Sequence, residues 1–156
     1  MPVDFLSVAE RDRWQRFPET IPHDDLVAFF VLSEQDVREV HRQREPHNRL
    51  GYALQLGALR YLGFVPEDLQ TIPPEVVTFV AEQLAVAPSV LTAYAHRHRT
   101  QTDHQLSVQT YLGFRPMAPL DWYALQTWVI ERALEHDKPT LLLQGPKPTI
   151  SPPSAN

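Results

Sequence analysis

Apolar residues recur at helical spacing along most of the chain, and no stretch alternates residue by residue as a strand does. The best-punctuated stretch is residues 41–66, HRQREPHNRLGYALQLGALRYLGFVP. Pro46 cannot continue a helix that opens at Ser33 but suits the first turn of a new one, so the pattern predicts a helix over residues 47–62. Leu50, Leu54 and Tyr61 recur at intervals of four and seven, and Ala53, Leu56 and Leu59 widen that stripe into a face for burial. Asn48, Arg49, Gln55 and Arg60 carry its hydrogen-bonding chemistry. Gly63 can take the left-handed conformation that closes a helix, and Phe64 folds back before Pro66.

Seven further segments fit around this one. Ser7 with Glu10 makes a capping box, and Val8, Trp14 and Phe17 predict a short helix that Pro18 ends. Residues 24–31 read equally as a short helix or an extended run. Ser33 opens the next helix, with Asp36 at the capping-box position, Leu32 and Val37 as its staple, and Arg38 and Arg42 on one side. Pro73 and Pro74 start a helix to Leu84 whose buried face is Val76, Phe79, Val80 and Leu84. A short one runs from Ser89 to Tyr94. A His- and Arg-rich entry then leads into a helix closed by Gly113 and Phe114, and the last runs over residues 119–138, carrying Trp122, Leu125, Trp128, Val129 and Leu134.

YLGFVP at residues 61–66 and YLGFRP at residues 111–116 stand 50 apart, each followed by a helix that proline starts. They are either an internal duplication or two uses of a common helix-closing signal. In both cases the expected architecture is all-α, with about seven short helices in two successive helix-turn-helix-like units, residues 1–68 and 69–138. Residues 139–156 are proline-rich and lack periodicity after Leu143, which predicts a disordered tail.

Composition adds exclusions. A length of 156 residues suits one domain or two very small ones. With no cysteine there is neither a disulfide framework nor a thiolate zinc site. The N-terminus has no basic start with a long apolar run, and the longest such run, residues 26–32, is far too short to span a bilayer, so a soluble intracellular protein is expected. The net charge of −5 hides an uneven distribution: residues 1–36 carry −5, residues 37–60 carry +3, and residues 94–116 carry +2 with three histidines. Local charge sets where a polyanion can sit.

Candidate chemistry is narrow. Nothing resembles a nucleophile elbow, a phosphate loop or a metalloprotease helix, and Asp24–Asp25 and Glu67–Asp68 lie in acidic turn-like stretches, so no enzyme mechanism is supported. His96, His98 and His104 have a loose zinc or nickel spacing, but the neighbouring Arg97 and Arg99 repel a cation. Neither a metal nor another cofactor is expected. The arginines fit a nucleic-acid surface better: Arg38, Arg42 and Arg44 precede a helix whose first turn bears His47, Asn48 and Arg49, and a helix N-terminus favours phosphate. Gln55 could read a base if that helix entered a groove, and Arg60 could do so or simply pack its stem. In the second basic region the candidates are Arg97, His98, Arg99, Gln101, His104 and Arg115. The competing reading of both regions is a solvated face pairing with the acidic first third.

The run NRLGYALQLGALRYLGFVP, followed in order by PPEVVTFVAEQLAV, AYAHRHRTQTDH and YLGFRP, resembles the N-terminal region of the Tn-three family transposases. Asn48 to Gly51, Gln55-Leu56, Leu59 to Tyr61, Ala81 to Leu84 and the spacing from Arg99 to His104 carry the resemblance, which extends over residues 6–143. It implies sequence-specific binding of double-stranded DNA at the terminal inverted repeats of a transposon, in a bacterial cytoplasm. Cutting and joining would belong to an RNase-H-like domain far downstream, absent from this chain, so a truncated or stand-alone end-binding part is expected and not an enzyme. The alternative is a regulatory or protein-interaction module acting on full-length transposase, or on itself, with little DNA contact. The sequence departs from the family pattern at Thr102-Asp103, where a more basic pair is usual, and after Leu141.

Overall fold

The computed structural model describes residues 16–115 and 117–135. They form seven α-helices: α1 (His23–Phe30), α2 (Glu34–His41), α3 (Pro46–Leu62), α4 (Pro74–Gln83), α5 (Leu91–Ala95), α6 (His98–Tyr111) and α7 (Pro119–Glu135). Short 3₁₀ turns at Leu69–Thr71 and Pro88–Val90 precede α4 and α5. No strand occurs among the described residues, in agreement with the all-α expectation. The helix expected from Ser7 and the tail over residues 139–156 lie outside them.

The helix ends follow from local chemistry. Ser33 accepts from the Asp36 amide at 3.2 Å while the Asp36 carboxylate accepts from the Ser33 amide at 2.9 Å, the reciprocal box that starts α2. Pro46 occupies the first turn of α3, and Gly63 closes it at φ +81°, its amide bonded to the Leu59 carbonyl at 3.0 Å. Gly113, at φ +77°, performs the same task after α6, so the two Leu-Gly-Phe copies share a helix-closing role. Of residues 24–31, ambiguous in sequence, those up to Phe30 are helical, with Leu26 and Phe30 reaching the core from α1, and Val31 is extended.

Two compact units are present, Gln15–Leu112 and a second that includes Gly113–Asn156. In the first, α3 is the axis: α1, α2, α4, α5 and α6 all pack against it. Every residue from 50 to 59 is buried, so the helix has no solvent face over that length. The one-sided stripe expected from the sequence is therefore too narrow. Small residues make the enclosure possible, since Gly51 lies under the Tyr94 ring and Gly57 under the Phe30 ring. This packing continues across residue 68, where the sequence pattern places a boundary between units. The leucine-rich side and the side bearing Gly51, Tyr52 and Gln55 both need partners, and those partners come from both halves of the chain.

Side-chain hydrogen bonds then tie the outer helices together. Gln83 donates to the Phe30 carbonyl and accepts from the Leu32 amide, each at 2.9 Å, joining the end of α1 to α4. Glu75 accepts from the Ile21 amide at 2.9 Å. Phe17 and Phe29 meet Tyr61 at ring distances of 5.9 and 5.4 Å, covering the last turn of α3.

Candidate nucleic-acid interface

The connection between α2 and α3 holds the first group of candidates. Arg38 lies in the last turn of α2, and it, Arg42 and Arg44 are all exposed. Arg42 has a 3.0 Å ion pair with Glu39 one turn earlier, with 74% of its side chain exposed. Such a pair is worth less than about 1 kcal/mol and does not withhold the guanidinium from another anion. Arg49 plays a different part: its Nε donates to the Gln43 carbonyl at 2.8 Å, folding the connection back onto the first turn of α3. That first turn has Pro46 and no side-chain cap hydrogen bond, and the N-cap residue Glu45 places an exposed carboxylate at the same helix end. His47 and Asn48 are half-buried beside it, with Nε2 and Oδ1 lacking a protein partner.

The start of α6 holds the second group. Arg97, His98 and Arg99 are exposed, and no side chain caps the helix there. Gln101 turns inward, donating to the carbonyls of Tyr94 and Ala95 at 2.9 and 3.0 Å.

Three candidates instead form an interior polar network. Gln55 is 2% exposed and donates to the Tyr94 hydroxyl and the Gln101 carbonyl, both at 3.1 Å. His104 is buried, with Nδ1 2.9 Å from the same hydroxyl and its ring stacked on Tyr94 and edge-on to Tyr52. Burial lowers the His104 pKa, against a smaller upward pull from Asp103, so the ring is neutral near neutral pH. Burial also raises the Tyr94 pKa, a shift that the Gln55 bond opposes only in part. Gln55 and His104 thus have no access to a groove in this fold. Their polar character satisfies the interior where α3, α5 and α6 meet.

Arg60 and Arg115 are both engaged internally. Arg60 grips the buried Asp36 carboxylate with two bonds of 3.0 and 2.8 Å, and the Tyr111 hydroxyl donates to the same carboxylate at 2.8 Å. Burial pushes the Asp36 carboxyl up, but the bonds from Arg60, the Ser33 amide and Tyr111, with the Arg60 charge, bring it down to about 2. Burial and then Asp36 push the Tyr111 hydroxyl up to about 12. In the second unit Arg115 pairs with Asp121, whose carboxylate also accepts from the Ala118 amide at 2.7 Å at the start of α7. Sequence reasoning missed Asp36 as the hub of α2, α3 and α6, because its ligands lie 24 and 75 residues away.

The solvent-facing remainder is therefore two arginine-rich segments, Arg38, Arg42 and Arg44 on one and Arg97, His98 and Arg99 on the other, each next to an uncapped helix start. Among the described residues no three His, Asp or Glu side chains converge as a metal site, and no single helix is long and apolar enough to cross a membrane.

A family model described as a domain of unknown function (DUF4158) matches residues 5–145. The chain is 34% identical over 145 residues to the transposase for transposon gamma-delta of Escherichia coli (strain K12), a match that covers 91% of this chain and 14% of that protein. It is 34% identical over 137 residues to the transposase for transposon Tn501 of Pseudomonas aeruginosa, covering 88% of this chain and 14% of that one. The transposase for transposon Tn1546 of Enterococcus faecium is 30% identical, over 85% of this chain and 13% of its own length. The chain thus spans about one seventh of the length of these relatives. It belongs to the DUF4158 family and is homologous, over most of its length, to the N-terminal region of Tn-three family transposases.

Proposed function

We propose that this chain binds the terminal inverted-repeat DNA of a transposon, as the end-recognising N-terminal part of a transposase whose cutting and joining are carried by the remainder of the protein. The observation that carries the reading is the exposure of Arg38, Arg42 and Arg44 beside the uncapped start of α3, in a chain homologous to proteins named as transposases. Three exposed cations beside a helix start suit phosphate oxygens, which fix register on a duplex. The start of α6 supplies a second contact of the same kind through Arg97, His98 and Arg99. Arg49 supports the first contact by holding its backbone, and His47 and Asn48 are the polar groups nearest to it. The net charge of −5 does not oppose this, because the acidic residues concentrate in the first 36 positions.

The test is a salt titration of DNA binding with intact chain and with Arg38→Gln, Arg42→Gln and Arg44→Gln combined. All three side chains are exposed, so the variant keeps its fold. Each lost phosphate contact lowers the slope of log K against log salt by about 0.9, so the slope falls by about 2 to 3 and affinity drops on every duplex alike. An unchanged slope and affinity would remove this segment from the interface.

A further inference from the structure

The turn from α5 into α6 carries four exposed residues, His96, Arg97, His98 and Arg99. Its backbone is held by the Arg97 amide, which donates to the Tyr94 carbonyl at 3.0 Å, and no side chain caps the start of α6. Gln101 adds a side-chain restraint that crosses the whole turn. Its Nε2 donates back to the carbonyls of Tyr94 and Ala95, at 2.9 and 3.0 Å, where α5 has run out of helical amides to serve them. The Gln101 carbonyl in turn accepts from Gln55 Nε2 at 3.1 Å, and Gln55 sits in the fully enclosed length of α3. One residue thus fastens the end of α5 and the start of α6 to each other and to the central helix, around the segment that bears the second basic group.

We infer that Gln101 is a positioning residue for the contact made by Arg97 and Arg99: its side chain spends its donors on the turn and not on DNA, and it holds the two guanidiniums where they meet phosphate already ordered. The inference rests on the DNA-binding reading of the α6 start. Methionine has nearly the length of glutamine and no donor, so Gln101→Met removes both bonds to the end of α5. The bond from Gln55 remains, because it ends on the backbone at residue 101, and the variant keeps its fold. The turn must then be ordered as DNA binds, and that ordering lowers affinity without removing any charge.

The experiment measures affinity for a labelled mixed-sequence duplex over a range of salt. It compares the intact chain, Gln101→Met, the pair Arg97→Gln with Arg99→Gln, and all three changes together. Gln101→Met weakens binding by about tenfold in the intact background, the ordering cost of two long side chains. It has no further effect once the two arginines are gone, the coupling expected of groups that act as one. The arginine pair lowers the slope of log K against log salt by about 2. A general loss of stability would instead weaken binding equally in both backgrounds. Amide exchange reads the same turn without DNA: the Arg97 amide exchanges faster in Gln101→Met, while the amides of α3 keep the rates of the intact chain. Equal losses in the two backgrounds, an affinity indifferent to Gln101→Met, or an Arg97 amide that exchanges no faster overturns the inference. If the arginine pair changes neither slope nor affinity, the DNA-binding reading of the α6 start fails and the inference falls with it. A lowered slope beside an indifferent Gln101→Met strikes the inference alone.

Discussion

Replacing Asp36 with alanine is expected to cost about 3 kcal/mol, the lower end of the range for breaking a buried ion pair from one side. The loss arises in three places. Arg60 is left without the carboxylate that receives both of its bonds, Tyr111 loses its acceptor, and the α2 capping box is opened. The lower end applies because the Arg60 side chain is 27% exposed and can recover part of its hydration. Asp36→Asn keeps the shape and some of the hydrogen bonds, so it loses less. Urea unfolding reads both, as a drop in midpoint at constant slope. The same group sets an acid limit. Its folded pKa of about 2 lies below the unfolded value near 3.8, so the folded state binds fewer protons between the two. The contribution is complete above about pH 4 and is lost as pH falls towards 2, a decline of about 2 kcal/mol. In Asp36→Asn that part of the acid decline is absent; an identical acid profile in variant and parent would refute the ion-pair account.

Gly57→Val is expected to destabilise the chain by at least the upper end of the roughly 1–3 kcal/mol range for overpacking a core. An added Cβ at this position lies 2.3 Å from Phe30 Cδ1 and 2.5 Å from Cε1, and Phe30 is 1% exposed with no room to withdraw. Gly57→Ala meets the same ring with one carbon, and the gain of about 1 kcal/mol in helix propensity from glycine to alanine does not offset the clash. Gly51, whose Cβ would lie 2.3 Å from the Tyr94 ring, behaves alike and also disturbs the hydroxyl that serves Gln55 and His104. Thermal unfolding of Gly57→Ala with and without Phe30→Leu checks the cause: the second change recovers part of the loss if the ring is the obstacle. Additive losses would show that the contact is not what matters.

These two sites also show what the sequence could and could not reveal. Pro46, Gly63, Ser33 with Asp36, and Gly113 mark helix ends through groups a few residues apart, so they were legible and the structure places them as read. The family was legible for a related reason, because several spaced motifs in register over most of the chain are hard to match by chance. Enclosure of α3 was not legible. Gly51 and Gly57 look like weak points in a helix when the neighbours that need their small size are unknown, and Gln55 occupies the position of a solvent-facing residue. Its partners, Tyr94 and Gln101, lie 39 and 46 residues away. The role of Arg60 is open in the sequence for the same reason, since only the fold brings Asp36 to it. Of the candidate interface, the arginines of the α2–α3 connection and of the α6 start remain on the surface, whereas Gln55, Arg60, Gln101 and His104 serve the packing that presents them.

The central claim is recognition of transposon ends. Fluorescence anisotropy with labelled duplexes at about 0.15 M salt tests it: one set carrying the ends of its own element and of transposons gamma-delta and Tn501, the other scrambled duplexes of the same composition. The prediction is tighter binding to at least one end by about a thousandfold, the lower bound of specific over non-specific discrimination. Equal affinity for ends and scrambled duplexes would contradict it.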